Sequence, residues 1–134
     1  MKCVFDTNLL ISALIIPGST PNAALRSALV LGTVYTSEDC FEEFTTRIFR
    51  KKFDKYFTAV EREAIINLLK PQLEFIIVKN SPERSRDKTD NKFLSVAEAV
   101  NADYLITGDN DLLTLTSHGK THIIRAMDFL ALFK

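Results

Sequence analysis

The stretch TDNKFLSVAEAVNADYLITGDNDLL, from Thr89 to Leu113, changes its hydrophobic period part-way through, and that change decides how the chain is read. Phe93, Ala97 and Val100 recur at helical spacing, which predicts an amphipathic helix opened by Asp90. DYLIT, Asp103 to Thr107, follows as a short β-rich run, and TGDNDLL then turns the chain with acids at Asp109 and Asp111. A helix delivered directly into a strand is one unit of an alternating α/β fold.

The same alternation extends outward in both directions. Further β-rich runs stand at KCVF (Lys2 to Phe5), TVYT (Thr33 to Thr36), EFIIV (Glu74 to Val78) and HII (His122 to Ile124). Ala24, Leu25, Ala28 and Leu29 make one helical face, and Ala64, Ile65, Leu68 and Leu69 make another. PGSTP at Pro17 to Pro21 and KNSPERSRDK at Lys79 to Lys88 have the composition of loops. The expected fold is a three-layer α/β/α sandwich over residues 1–134 as a single domain. Its central sheet is mainly parallel, of four or five strands, with right-handed crossovers.

The 134 residues are 46% hydrophobic and 25% charged, the balance of an ordinary globular protein. Net charge is zero, so any affinity for nucleic acid must come from local basic patches. MKCVFD meets an acid before an apolar stretch develops, unlike a signal peptide, and LLISALII (Leu9 to Ile16) is too short to span a bilayer. Cys3 and Cys40 lie far apart without a CxxC pattern and read as reduced core residues of a cytoplasmic protein.

VFDTNLLISAL, Val4 to Leu14, sets a lone Asp6 inside an apolar run, where a charge is costly without a partner. In parallel sheets, ligands sit beyond the carboxyl ends of the strands. Asp6 ends the first strand there. Glu43 follows the second in TSEDCFEEF, Asp109 and Asp111 follow the fourth, and Asp90 opens the helix leading into it. Each acid also has a structural explanation: Asp90 as a helix N-cap, Asp109 and Asp111 as first-turn acids, Glu43 as a solvated helix residue beside Glu42. Together, however, crowded carboxylates raise one another's pKa until a cation neutralises them. Oxygen donors without His or Cys suit Mg²⁺ or Mn²⁺, and such ions serve phosphate-ester chemistry.

FDTNLLISAL, EEFTTRIFRKKF, TDNKFLSVAEAVNADYLITGDNDLL and the segment IIRAMDFL, in this order, resemble the PIN-domain family over essentially the whole chain. The nearest likeness is to the prokaryotic toxin components of toxin–antitoxin pairs, the VapC-like ribonucleases. The resemblance implies the strand order 3-2-1-4-5 and a metal-dependent endoribonuclease that cuts RNA with Mg²⁺ or Mn²⁺. It assigns Asp6, Glu43, Asp90 and Asp109 as the catalytic and metal-binding acids, with Asp111 as an additional ligand. Thr7, Asn8 and Thr107 match the small polar residues that orient those carboxylates. It further implies a small antitoxin protein as partner, with a homodimer as a second association common among relatives. Of the neighbouring acids, Glu43 is preferred to Glu42 because it stands ten residues before Phe53.

Two basic clusters suit an RNA partner: Arg47, Arg50, Lys51 and Lys52 beyond Glu43, and Arg84 and Arg86 beside Asp90. The first has an equal reading as a solvated helix face whose Phe49 and Phe53 belong to the core. A PIN module that binds RNA or a protein without cutting is the alternative function.

Overall fold

The computed structural model describes residues 1–78 and 88–133, with the side chains of residues 88–91 excepted. The elements run β1 (Lys2–Phe5), α1 (Thr7–Ile15), α2 (Thr20–Leu31), β2 (Thr33–Thr36), α3 (Glu38–Arg47), α4 (Ala59–Leu69) and β3 (Glu74–Phe75). They continue with α5 (Lys88–Val100), β4 (Tyr104–Ile106), α6 (Asn110–Leu115), β5 (Ser117–His118), β6 (Thr121–Ile124) and α7 (Ala126–Ala131).

The sheet has the order β3-β2-β1-β4-β6-β5. Its pairs are parallel except β5 with β6. The expected five runs therefore occupy the expected 3-2-1-4-5 order. A sixth strand, absent from the sequence reading, is added where Ser117–His118 folds back antiparallel on β6. Two residues carry too little pattern to announce a strand; only the pairing partner makes one.

Alternation along the strands divides the core. Cys3 and Phe5 pack on one face of the sheet with residues of α1, α2 and α7, including Leu10, Leu25 and Phe129. Val4 packs on the other with Phe93, Leu94 and Ala97 of α5 and Leu112 of α6. Ile106 and Leu105 of β4 split in the same way. These two apolar layers clamp the sheet and hold its carboxyl edge fixed. Both cysteines are buried free thiols. Burial pushes the Cys3 thiol up to about 12 and the Cys40 thiol up to about 11. No helix among the described residues is long and apolar enough to cross a membrane.

Three local expectations are corrected. The run Glu74 to Val78 pairs only at Glu74 and Phe75, and Ile77 is 98% exposed. Its neighbour β2 ends at Thr36 because Ser37 caps α3, accepting the Cys40 N–H, so the ladder has no further parallel partner. On α4, Leu68 is 70% exposed and Ala64 is exposed; the inward stripe is Arg62, Ile65, Ile66 and Leu69. Arg62 belongs in that stripe because its guanidinium covers the Phe49 ring and pairs with Asp54 at 2.9 Å. Finally, α5 starts at Lys88, which sets Asp90 inside its first turn rather than at the N-cap.

Gly32 joins α2 to β2 where the chain passes Met1. A Cβ built there would stand 2.1 Å from the Met1 carbonyl oxygen, which accepts the Thr33 N–H. The close approach of two backbones, not the dihedral angle, requires glycine at this position.

Candidate active site

Asp6 leaves β1 and becomes the N-cap of α1, with its Oδ1 accepting the Leu9 N–H at 2.8 Å. Its other oxygen, Oδ2, accepts from the hydroxyl of Thr107. That contact spans 101 residues of sequence and exists because Phe5 of β1 lies in register with Ile106 of β4. Thr107 is itself fully buried, and its Oγ1 accepts the Asp109 N–H at 3.0 Å. Asp109, half-buried, is the N-cap of α6 and accepts the Asp111 N–H at 2.8 Å. A relay of bonds thus ties the carboxyl ends of β1 and β4 together through one threonine.

Asp6 is only 6% exposed, and among the described residues its partners are neutral. Burial pushes its pKa up, and the charges of Asp109 and Glu43 add to the rise. The hydrogen bonds from Thr107 and Leu9 oppose it. Among the described residues, no cation pairs with this buried carboxylate, which faces two like charges.

Glu43 approaches from the second turn of α3. Its Oε2 accepts from the Thr7 hydroxyl at 2.6 Å, and its Oε1 pairs with Arg47 Nη2 at 2.5 Å. Lys92 Nζ, from α5, stands 4.0 Å from the same Oε1. Arg47 also donates to Asn8 Oδ1 at 3.4 Å, bridging the starts of α1 and the end of α3. Glu42, one residue back, is exposed.

The sheet edge therefore brings together Asp6, Glu43 and Asp109, with Thr7 and Thr107 holding two of the three carboxylates. Asp111 and Asn8 lie exposed at the rim. The side chain of Asp90, and Arg84 and Arg86, lie outside the described residues. Arg50, Lys51 and Lys52 are exposed, with the Lys52 ammonium over the Phe53 ring at 5.1 Å. Phe49 is 39% exposed rather than part of the core. Sequence reasoning passed over Lys92, whose helical spacing places it among the polar positions of α5. It also passed over the role of Asp6 as an N-cap, since LLISAL reads as buried whatever its secondary structure.

The donor set suits a hard divalent ion: oxygen atoms only, with one carboxylate uncompensated. Among the described residues, no three His, Cys, Asp or Glu side chains come close enough to hold a metal together.

The PIN-domain family model matches residues 2–111, which take in β1 through the first turn of α6 and every acid of the edge. This chain belongs to the PIN-domain family. PIN domains are generally nucleases and typically use divalent metals. The PIN domain described here is also similar to an uncharacterised protein of Methanocaldococcus jannaschii. The two are 35% identical over 122 residues, covering 90% of this chain and 78% of that protein.

Proposed function

We propose that this PIN domain is a Mg²⁺- or Mn²⁺-dependent endoribonuclease, the toxin of a prokaryotic toxin–antitoxin pair. The observation that carries the reading is Asp6: a buried carboxylate held by Leu9 N–H and Thr107 Oγ1, beside Asp109 and Glu43, and without a paired cation among the described residues. Asp6, Glu43, Asp90 and Asp109 would hold the metal, with Asp111 as a further rim donor. When bound, the ion neutralises these carboxylates and stabilises negative charge on a phosphodiester.

The protein's own groups have distinct tasks. Thr107 and Thr7 fix the rotamers of Asp6 and Glu43, so the oxygens are arranged before substrate arrives. Asp109 is the better-exposed carboxylate of the Asp6–Asp109 pair. It suits the acceptance of a proton from the water that attacks phosphorus, as the P–O bond opposite the water breaks. Exposed Arg50, Lys51 and Lys52 would follow the RNA backbone. A small antitoxin protein and a cytoplasmic place of action belong to the same reading.

A second reading, a PIN module that binds RNA without cutting it, draws on the spacing of the described acids, no three of which close around one ion. One experiment separates the two: incubation of a mixed RNA pool with Mg²⁺, Mn²⁺ or EDTA, beside the Asp6→Asn protein. Cleavage that needs metal and Asp6 supports the nuclease. RNA binding with no cleavage by either protein supports the binding module.

A further inference from the structure

The strands β1, β4 and β6 stand side by side, and each ends at the same edge of the sheet. Asp6 follows β1, Thr107 and Asp109 follow β4, and Arg125 directly follows β6. The backbone fixes Arg125 in that place. Ile124 lies in register with Ile106, and its carbonyl accepts the Thr107 N–H at 3.0 Å. Thr107 is the residue whose hydroxyl serves both Asp6 and Asp109, so Arg125 stands one peptide from the bonds that order those acids. On its other side, α7 is anchored by the buried side chains of Ala126 and Phe129.

Arg125 is exposed, and its Nη2 donates to Asn110 Oδ1 at 3.3 Å. Asn110 opens α6 between Asp109 and Asp111, so this bond holds the cation beside the acids of the edge. Two other cations described at the edge, Arg47 and Lys92, are engaged by Glu43. No ion pair among the described residues includes Arg125. Its neutral partner orients the guanidinium without cancelling the charge. A guanidinium has five N–H donors in a planar fork, and Asn110 takes one. The others suit two oxygens of a phosphate.

We propose that Arg125 binds a phosphate of the RNA on the β6 side of the acidic edge, with Asn110 positioning its guanidinium. The proposal rests on the ribonuclease reading for the identity of the substrate. Carboxylates repel a polyanion, so a strand brought to Asp6 and Asp109 needs positive charge close by. Arg125 supplies it from a rigid strand end, and no described carboxylate competes for it.

Anisotropy of a short labelled RNA in EDTA, over a series of KCl concentrations, tests this without cleavage. Arg125→Gln should bind about tenfold more weakly than wild type, and its salt slope should fall by roughly one unit. Lys120→Gln removes an equal charge from an exposed position just before β6, at the opposite end of the same strand, and should change neither. Arg125→Lys keeps the charge but loses the fork; it should keep the slope and recover only part of the affinity.

Asn110→Ala should weaken binding in the wild-type background and have no further effect beside Arg125→Gln. Full additivity overturns the positioning by Asn110. If Arg125→Gln lowers only the melting temperature and binds RNA as Lys120→Gln does, Arg125 is a tether between α6 and α7, and the phosphate site is overturned. A wild type that binds RNA through Arg125 but cuts none with Mn²⁺ refutes the nuclease reading and leaves the phosphate site standing. A wild type that binds no RNA overturns both.

Discussion

Asp6 and Glu43 face the same edge of the sheet, yet they are held by different kinds of partner. Asp6 is held by an amide and a hydroxyl, donors that orient a carboxylate without cancelling its charge. Glu43 is held by a hydroxyl and two cations, and its charge is already compensated. The difference has a structural origin. Asp6 sits at the crossing of β1 and β4, where the surrounding layers are apolar, whereas Glu43 projects from a helix whose next turn carries Arg47. Among the described residues, one carboxylate consequently has no paired cation and the other has two.

The largest effect that can break this contrast is on RNA cleavage. Asp6→Asn should lower the Mn²⁺-dependent rate at least ~100-fold, above the 10- to 100-fold typical of groups that only orient a metal ligand, and Glu43→Gln less, by ~10-fold, because its charge is already compensated. Single-turnover rates on one RNA measure both. Equal losses would place the two acids in the same role and remove the distinction.

Next come the threonines. Thr107→Val leaves the Asp6 carboxylate and the Asp109 N–H without their shared partner at a buried position, which should cost about 1–3 kcal/mol of stability. Thr7→Val removes one partly buried bond to an acid that keeps its cations, and should cost about 0.5–1.5 kcal/mol. Urea unfolding compares them. A larger loss for Thr7→Val would show that Glu43, not Asp6, depends more on its neutral donor.

The pH dependence sharpens the same point. The folded-state pKa of Asp6 is raised, so its contribution to stability is full below the ordinary carboxyl value of 3.8 and is lost as pH rises through the raised value. Asn at this position still caps α1 but carries no charge. Without divalent ions, Asp6→Asn should therefore gain on wild type as pH rises from acid to neutral, and that gap should narrow again on acidification. Melting temperatures at a series of pH values test it; a gap independent of pH would mean that the Asp6 charge costs the fold nothing.

The smallest effects lie on the exposed ridge. Arg50→Ala and Lys51→Ala should change stability by less than about 0.5 kcal/mol. Each should reduce the salt slope of RNA binding by roughly one unit if it touches a phosphate. An unchanged slope assigns them to a solvated face.

The alternation of strands and helices was legible because period-2 and period-3.6 patterns are local: DYLIT and the Phe93–Ala97–Val100 face declare themselves within a few residues. That Asp6 and Asp109 follow strand ends and Glu43 lies in the helix after β2 was also readable from the alternation; that no three acids among the described residues close around one ion was not. How far the strand at Glu74 would run was not, because its length depends on where β2 stops. The inward turn of Arg62 on α4 was equally hidden, since a guanidinium lying on Phe49 looks in sequence like any surface arginine.

The site divides along the same line. Residue types and order name the acids, because carboxylates at strand ends are a matter of composition and spacing. The hydroxyls that hold Glu43 and Asp6 come from neighbours 36 and 101 residues away. Thr107 reaches Asp6 only through the register of β1 and β4, and Lys92 reaches Glu43 only because α3 and α5 approach each other. Charge compensation acts over a few ångströms between side chains, a distance that sequence separation does not encode.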